Sequence, residues 1–260
     1  MDHTHPYALK DGGIARRLPA NRVSAGAPFH WLRLGARDLV AAPWISLLFG
    51  AVFSLIPAAI LALTLAQGTH LVILPATVAF ALVGPLFAVA LYDVAWQLER
   101  GRRPSLYHSF RALLRNPAGE WGFAVILTLL MIAWMRLATL IHALYPTLGE
   151  PSFTELGGFL AVGSLVGALM LGLVFSVSAF APQIMLERRV DMMTAIVTSV
   201  SAVRDNALPM LIWALLIGGL VVLGFATSAV GFVLLMPLLS YASWHAYIAV
   251  IETRRPRRYE

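Results

Sequence analysis

Six long apolar stretches constrain what this chain can fold into more than any other feature of its sequence. Each comes close to the roughly 20 apolar residues that an α-helix needs to cross a bilayer. The stretches are apolar at consecutive positions and do not alternate, which excludes the strands of a membrane barrel. The sequence therefore predicts an all-α integral membrane protein with six transmembrane helices. The predicted spans are residues 44–66, 71–92, 121–145, 157–181, 208–226 and 230–251.

The composition excludes the soluble classes of protein. Of the 260 residues, 59% are hydrophobic and 12% are charged, whereas a soluble domain carries about 25% charged residues. Disorder is excluded because it needs low hydrophobicity. The chain has no cysteine, so disulfides, thiolate metal sites and cysteine nucleophiles are also excluded. What remains is a protein whose surface faces lipid.

Three regions follow from the positions of the apolar runs. Residues 1–27 lack the apolar run of a signal peptide, and we expect them to form a mobile cytoplasmic tail. Residues 28–252 form the transmembrane domain, and residues 253–260 form a basic cytoplasmic tail. The last two spans are divided at Thr227 and Ser228, because one helix of their combined length is too long for a bilayer.

The basic residues predict the orientation of the chain. All but one of the 19 Lys and Arg residues lie before the first span, after the last span, or in the loops that follow spans two and four. The positive-inside rule then places both termini in the cytoplasm. Anionic lipid accounts for the high pI, so nucleic-acid binding is not predicted. The arginines expected to contact lipid headgroups are Arg33, Arg37, Arg102, Arg103, Arg111, Arg115, Arg188 and Arg189.

Two parts of the chain resemble each other. Residues 85–104 and 237–256 align without a gap and share six of 20 positions, including the closing Arg-Arg-Pro. In this alignment Asp93 corresponds to His245, and a weaker third copy follows Pro182. Either the chain contains a true repeat, which we favour, or basic loops and helix-starting prolines have converged.

An amphipathic segment that ends before a proline precedes each odd-numbered span. A helix of this kind lies in the headgroup plane with its arginines toward lipid phosphate. The predicted architecture is therefore three parallel-repeated helical hairpins, each preceded by a cytoplasmic-side interfacial amphipathic helix. The apolar positions of these segments are Phe29, Leu32, Leu39 and Val40, then Leu106, Phe110, Leu113 and Leu114, and finally Met193, Ile196, Val197 and Val200.

Three stretches of the sequence carry a resemblance to a known family. These are WLRLGARDLVAAPWISLLFG at 31–50, VGPLFAVALYDVAWQLERGRRPSL at 83–106, and the run Trp244-His245-Ala246-Tyr247. Together they resemble a bacterial family of predicted integral membrane proteins, domain of unknown function 2189, from about residue 28 to the tail. The resemblance implies a membrane location and no particular activity. Some members carry a label as cytochrome oxidase subunit one, which this chain does not support, since no span holds the required histidines.

Arg136 is the one charged residue well inside a predicted span. An arginine at the centre of a membrane helix costs about 2.5–3.5 kcal/mol on insertion scales, which makes it a candidate functional residue. It either contacts an anion or a lipid headgroup or acts as a gate, or it extends to the outer interface and pairs with Glu150 or Glu155. We favour the second interpretation.

Two further candidates are Asp93, which ends the second span, and His245, which lies in the last span among aromatic residues. Asp93 is either a cation or proton site, or part of an ion-paired helix end, and we favour the ion pair. His245 is either a haem or metal ligand, or a hydrogen-bonded packing residue. It has no second ligand at helical spacing, so we favour packing and predict neither a metal nor a cofactor.

Helix packing is expected at small residues and kinks at prolines. Gly163 and Gly167 form a GxxxG motif in the fourth span, and Gly172 follows on the same helix. We expect this span to lie at the centre of the bundle or at a contact with a partner protein. Pro57, Pro85 and Pro237 are expected to kink their helices. These kinks are interpreted first as packing devices.

Three functions are compatible with the sequence. No Walker A loop, HExxH or GxSxG motif is present, and the segments outside the membrane are too short for a catalytic domain. We therefore favour a non-enzymatic scaffold or accessory subunit of a larger membrane complex. A small transporter, channel or lipid-handling protein that uses Arg136 is the alternative. A membrane enzyme or redox subunit, which would use Asp93 and His245, ranks third.

Overall fold

A computed structural model describes residues 17–67, 87–112, 114, 117–144, 153–188 and 190–252. Regular structure in these residues consists of α-helices, joined by short turns and one isolated β-bridge between Ala20 and Ile251. The helices are α1 (Ala27–Ala41), α2 (Pro43–Gln67), α3 (described over 87–99), α4 (Leu106–Ala112), α5 (Pro117–Leu144), α6 (Phe153–Ser178), α7 (Ala181–Glu187), α8 (Met192–Asp205), α9 (Ala207–Ala226) and α10 (Phe232–Val250).

Five parts of the described chain are long and apolar enough to cross a membrane. They lie in α2, α5, the α6–α7 pair, α9 and α10. These correspond to five of the six predicted spans. Most of the predicted second span, residues 71–92, lies outside the described residues, and only its last part appears in α3. The prediction of six spans therefore remains a prediction.

The division of the last apolar region is confirmed. Residues 227–231 form a turn between α9 and α10. Ser228 and Ala229 have positive φ angles of 53° and 69°, which residues other than glycine rarely adopt. The Ser54 hydroxyl of α2 donates a hydrogen bond of 2.6 Å to the Ala229 carbonyl. This bond ties the turn to a neighbouring helix.

The fourth span extends further than the predicted residue 181. The helix α6 breaks at Ala179 and Phe180, and the apolar chain continues as α7. The Ser199 hydroxyl of α8 accepts a hydrogen bond from the Phe180 N–H at 3.1 Å and donates one to the Ser176 carbonyl at 2.7 Å. A break in an apolar helix is tolerated when another side chain satisfies the freed backbone groups, and Ser199 does this here.

The helix α10 lies at the centre of the described bundle. In the apolar stretch of α10, 44% of the residues are buried, which is the largest share among the candidate spans. Both α1 and α2 approach its backbone at glycines. A Cβ added to Gly50 would overlap the Val233 carbonyl, and one added to Gly35 would lie 2.8 Å from the Ala242 nitrogen. Only glycine fits at these two positions, so the helices can pack backbone against backbone.

Several helices end or begin next to segments that carry many arginines, such as residues 100–115 and 188–204. These helix ends meet at one end of the bundle, which we call the arginine-rich end. The start of α2 meets the middle of α10 near this end, because the Ser46 and Tyr241 hydroxyls are 2.8 Å apart. The end of α3 meets α10 through the Trp244 indole N–H, which donates to Glu99 at 3.2 Å. Polar side chains thus join the start of α2 and the end of α3 to α10.

A short helix directly precedes each of α2, α5 and α9. These are α1, α4 and α8, and they occupy the three segments predicted to be amphipathic. Asp191 directly precedes α8. Its carboxylate accepts hydrogen bonds from the Thr194 hydroxyl at 2.6 Å and the Thr194 N–H at 2.9 Å. These bonds lower the pKa of Asp191 and cap the helix. The location of the three helices in the headgroup plane remains a prediction.

Candidate functional site

A buried carboxylate network joins α3 to α4 at the arginine-rich end. Asp93 is 0% exposed. One of its oxygens accepts hydrogen bonds from the Gln97 amide at 2.7 Å and the Ser109 hydroxyl at 3.0 Å. The same oxygen lies 2.8 Å from His108 Nδ1, which must be the donor if the carboxylate is ionised. Three donors on one oxygen offset the desolvation of a buried charge.

Aromatic and cationic side chains surround the imidazole of this network. The Trp96 ring stacks on His108, with centroids 5.3 Å apart and planes 17° apart. The Arg100 guanidinium lies 3.5 Å from the centroid of Trp96. The His108 side chain is 31% exposed, while Asp93 is fully buried. The imidazole therefore connects an accessible surface to a buried carboxylate, an arrangement that suits either a proton site or a hydrogen-bonded helix end.

His245 lies in a second pair of a carboxylate and an imidazole. Its Nε2 is 2.7 Å from Asp38 in α1, and the two side chains are 16% and 15% exposed. The pair joins α1 to α10. Asp93 and His245, which correspond in the aligned segments, are thus not brought together. Each instead pairs with a residue of a short helix. In the first pair α3 supplies the carboxylate and α4 the imidazole, whereas in the second pair α10 supplies the imidazole and α1 the carboxylate.

A third polar link involves Arg188. Its guanidinium donates to the Tyr247 hydroxyl at 3.2 Å and to the Glu252 carbonyl at 3.0 Å, and Tyr247 donates to Glu187. The link joins the end of α7 to the end of α10. Two of its guanidinium nitrogens thus bond within the protein, and lipid contact by this half-buried side chain remains a prediction.

The other predicted headgroup contacts have different outcomes. Arg115 and Arg189 lie outside the described residues. The remaining arginines are exposed, so their side chains are accessible to lipid phosphate, and lipid contact remains a prediction for them. They are Arg33, Arg37, Arg102, Arg103 and Arg111.

Arg136 lies on the exposed surface of α5. The helix continues for two more turns after it, to Leu144. The side chains of Glu150 and Glu155, its predicted partners, are not among those that the structure describes. An exposed guanidinium at this depth is placed to extend along the helix toward an interface, or to meet a lipid phosphate.

The glycines of α6 lie in two different surroundings. A Cβ added to Gly167 would lie 3.2 Å from the Trp134 ring of α5, which is a close helix contact. No described atom would lie within 4 Å of a Cβ at Gly163 or Gly172. Only 6% of the residues in the apolar stretch of this span are buried. The expectation that it forms the centre of the bundle is therefore wrong, and the partner-contact alternative remains a prediction.

Sequence reasoning missed several buried polar residues near the arginine-rich end. Each lies at the edge of an apolar run, where the pattern does not distinguish a buried side chain from a solvated one. Spacing offers one signal, because Gln97 lies four residues after Asp93 on the same helix face. No group of three His, Asp or Glu side chains in the described part of the chain is arranged to hold a metal ion. The missed residues are Gln97, Ser109, Glu120, Gln183 and Asn206.

Comparison with known proteins supports the membrane assignment. Residues 73–187 match the sequence model of a family described as "Predicted integral membrane protein (DUF2189)". The match is shorter than the predicted extent of the resemblance, since 31–50 and 244–247 lie outside it. Searches of curated proteins and of solved structures give no significant match. The resemblance is nevertheless confirmed: the chain is a multi-pass integral membrane protein, and its residues 73–187 are similar to the DUF2189 family.

Proposed function

We propose that this protein is a non-enzymatic scaffold or accessory subunit of a larger complex in a bacterial inner membrane. Its partner is a membrane protein that lays a transmembrane helix against α6. The observation that carries the proposal is a row of small residues along α6 that nothing in the described chain covers. The row consists of Gly157, Ala161, Ser164, Ala168 and Gly172, all exposed.

The spacing of these residues places them on one helix face. They are separated by four, three, four and four positions, which is the repeat of an α-helix surface. Small residues at this spacing let two helix backbones approach closely in a membrane, where there is no hydrophobic force to drive association. Gly167, on another face, already packs against Trp134 of α5. One face of α6 therefore serves the fold, and another is free for a partner.

The internal repeat supports a rigid scaffold. In our interpretation, each unit consists of a short helix and a transmembrane hairpin, and all three share one orientation. The last helix of each unit contacts the short helix of the next one: α3 meets α4, α7 meets α8, and α10 meets α1. The third contact joins the last unit to the first, so the units form a closed ring. Such a ring holds α6 in a fixed position on its surface.

The chemistry of the polar clusters agrees with a structural role. The Asp93, His245 and Arg188 clusters each join two helices, and their side chains bond chiefly to one another. The chain carries none of the usual nucleophile or metal-ligand motifs. With both termini in the cytoplasm, the arginine-rich end would face the cytoplasm and its exposed arginines would contact anionic headgroups.

The test compares two glycines that both have open space around them. Gly172→Leu fills the free face of α6, while Gly218→Leu places the same bulk on α9, where no described atom lies within 4 Å of the added Cβ. The tagged proteins are purified in mild detergent from their native membranes, and the co-purified proteins are quantified by mass spectrometry. We expect a stoichiometric partner to be reduced at least tenfold by Gly172→Leu and retained by Gly218→Leu. Equal recovery in both variants, or no stoichiometric partner with the wild type, would contradict the proposal.

A small transporter, channel or lipid-handling protein is the alternative function. The exposed position of Arg136 favours lipid handling, because a guanidinium on the outer surface of α5 can meet a lipid phosphate. Pro57 and Pro237 lie inside their helices and can supply kinks. The test is flux and lipid transfer in liposomes with wild type and Arg136→Ala. No activity in either protein would exclude this function, and equal rates in both would exclude a part for Arg136 in it.

A further inference from the structure

In α8 the polar side faces the rest of the chain and the apolar side faces outward, which is the reverse of a surface helix in a soluble protein. The side toward the rest of the chain carries small and hydroxyl-bearing residues, which are Thr194, Ala195, Thr198, Ser199 and Ala202, all buried. The outward side is mainly apolar and more exposed. It consists of Met193, Ile196, Val197, Val200 and Arg204, of which Met193 is 50% exposed.

The inward side of α8 packs through hydrogen bonds. The Thr198 hydroxyl accepts a bond from the Leu18 N–H at 3.1 Å, and Ser199 bonds the two backbone groups freed by the break between α6 and α7. The protein therefore uses the polar side of α8 for its own packing. The apolar side is left for another occupant, and that occupant must be apolar, because such a face is unfavourable in water.

A groove runs along this outward side and has a basic end. Its volume is about 460 Å³. Arg17 and Asp205 form an ion pair in its lining, whereas Arg204 makes no ion pair with any residue that the structure describes. The guanidinium charge in the lining therefore exceeds the carboxylate charge. The groove is lined by Arg17, Ile196, Val197, Val200, Ser201, Arg204 and Asp205.

The position of the groove places its basic end where a span begins. The helix α8 ends at Asp205, and the apolar helix α9 begins two residues later at Ala207. Asn206 fixes this junction, because its side chain accepts a hydrogen bond from the Val23 N–H at 2.9 Å. The headgroups of a bilayer lie at the ends of the apolar segments that cross it. We therefore expect Arg204 to lie at headgroup level, with the apolar part of the groove beside it.

We propose that the groove binds one anionic phospholipid of the surrounding bilayer. The phosphate lies against Arg204 and Arg17, since a guanidinium donates two parallel hydrogen bonds to phosphate oxygens. The upper acyl carbons lie on Ile196, Val197 and Val200. This inference rests on α8 and does not depend on the scaffold function or on a partner helix at α6.

The test measures how tightly the full-length protein, purified in mild detergent, binds phosphatidylglycerol. Native mass spectrometry counts bound lipids during a titration, with phosphatidylcholine as the zwitterionic comparison. We expect one preferred phosphatidylglycerol per chain. Arg204→Gln should weaken this binding at least about fivefold, the size expected for one arginine near a membrane surface. The matched control is Arg22→Gln, which removes an exposed arginine that does not line the groove and should change the affinity less than about twofold.

Two further arms distinguish the occupants of the groove. Val200→Asn leaves the charge intact and adds a polar group to the apolar lining, so it should also weaken phosphatidylglycerol binding, and it replaces Arg204→Gln if that variant does not fold. Glycerophosphoglycerol, the headgroup without acyl chains, should not compete. The proposal is overturned if Arg204→Gln and Arg22→Gln lose affinity equally, if neither loses any, or if the free headgroup competes at equal concentration. Deletion of residues 1–16 that raised the affinity more than tenfold would assign the groove to that segment instead.

Discussion

The helices α10 and α6 use glycine in opposite ways. Against α10, Gly35 and Gly50 lie so close to the neighbouring backbone that no side chain fits at either position. On α6, Gly163 and Gly172 have no described atom within 4 Å of an added Cβ. The same residue type therefore forms the tightest contacts of one region and an open surface in the other.

This difference shows what holds the described bundle together. Lipid tails are as apolar as leucine, so helices in a membrane associate through close packing and interhelical hydrogen bonds. Around α10 both are present, since the glycine contacts are accompanied by the Ser46–Tyr241 and Asp38–His245 hydrogen bonds. Around α6 they are sparse, and few residues of this helix are buried. The comparison therefore predicts large effects of mutations at α10 and small ones on the outer surface of α6.

The largest effect is expected from Gly50→Ala. The added methyl group would overlap the Val233 carbonyl, and separating two packed helices should cost about 3 kcal/mol or more, or prevent folding. Gly163→Ala is the matched control, and it should leave stability unchanged or raise it by up to about 1 kcal/mol through helix propensity. Thermal unfolding in detergent, followed by circular dichroism, measures both. Equal stabilities of the two variants would contradict the contrast between α10 and α6.

The sequence predicts the membrane class and the helices better than it predicts their neighbours. Apolar runs are a local property, so five candidate spans and the turn at Thr227 and Ser228 could be located from them. The meaning of a glycine is not local. Gly163 and Gly167 stand out in the sequence as a motif, whereas Gly50 does not, yet it is Gly50 that meets a backbone. Which glycine is covered depends on the helix opposite, and one sequence does not identify that helix.

The candidate site shows the same limit. Asp93 and His245 could be selected because Asp93 is a polar residue at the end of an apolar run and His245 is a polar residue within one. Their partners could not, because His108 comes from the next helix and Asp38 is 207 residues away from His245. Arg188 shows a related limit. The positive-inside rule assigns an arginine to one side of the membrane, but it does not indicate whether the guanidinium faces lipid or Tyr247. Exposure of the other arginines is likewise a property of the fold.

The second largest effect is expected from removing one member of the Asp38–His245 pair. His245→Ala leaves a partly buried carboxylate without this donor, which should cost about 1–3 kcal/mol. In a double-mutant cycle with Asp38→Ala, the two losses should not add, because both variants remove the same hydrogen bond. Unfolding of the two single variants and the double variant measures the coupling. Additive losses would mean that the pair does not contribute to the attachment of α1 to α10.

A smaller effect is expected where α8 supports the break between α6 and α7. Ser199→Ala removes the hydroxyl that bonds the Phe180 N–H and the Ser176 carbonyl, so destabilisation by about 1–2 kcal/mol is expected. Ser178→Ala is the matched control. Its hydroxyl bonds only the Val174 carbonyl one turn earlier in the same helix, and its loss should change stability by about 0.5 kcal/mol or less. If both variants unfold alike, Ser199 does not stabilise the break between α6 and α7. The contrast between α6 and α10 would then be weaker than proposed.

The smallest effects are expected in the turn at the far end of α10, where two positive φ angles can be separated by their surroundings. Ser228→Gly relieves a left-handed conformation at an exposed position, so stabilisation by about 0.5–1 kcal/mol is expected. Ala229→Gly relieves a similar strain but removes a methyl group that is 0% exposed, and losing about 0.8 kcal/mol of burial should cancel the gain. The difference between the two melting temperatures therefore reports whether the packing around α10 extends to this turn. A stabilisation of equal size in both variants would place the turn outside the tightly packed region, and a loss at Ala229 larger than the gain at Ser228 would place it firmly inside.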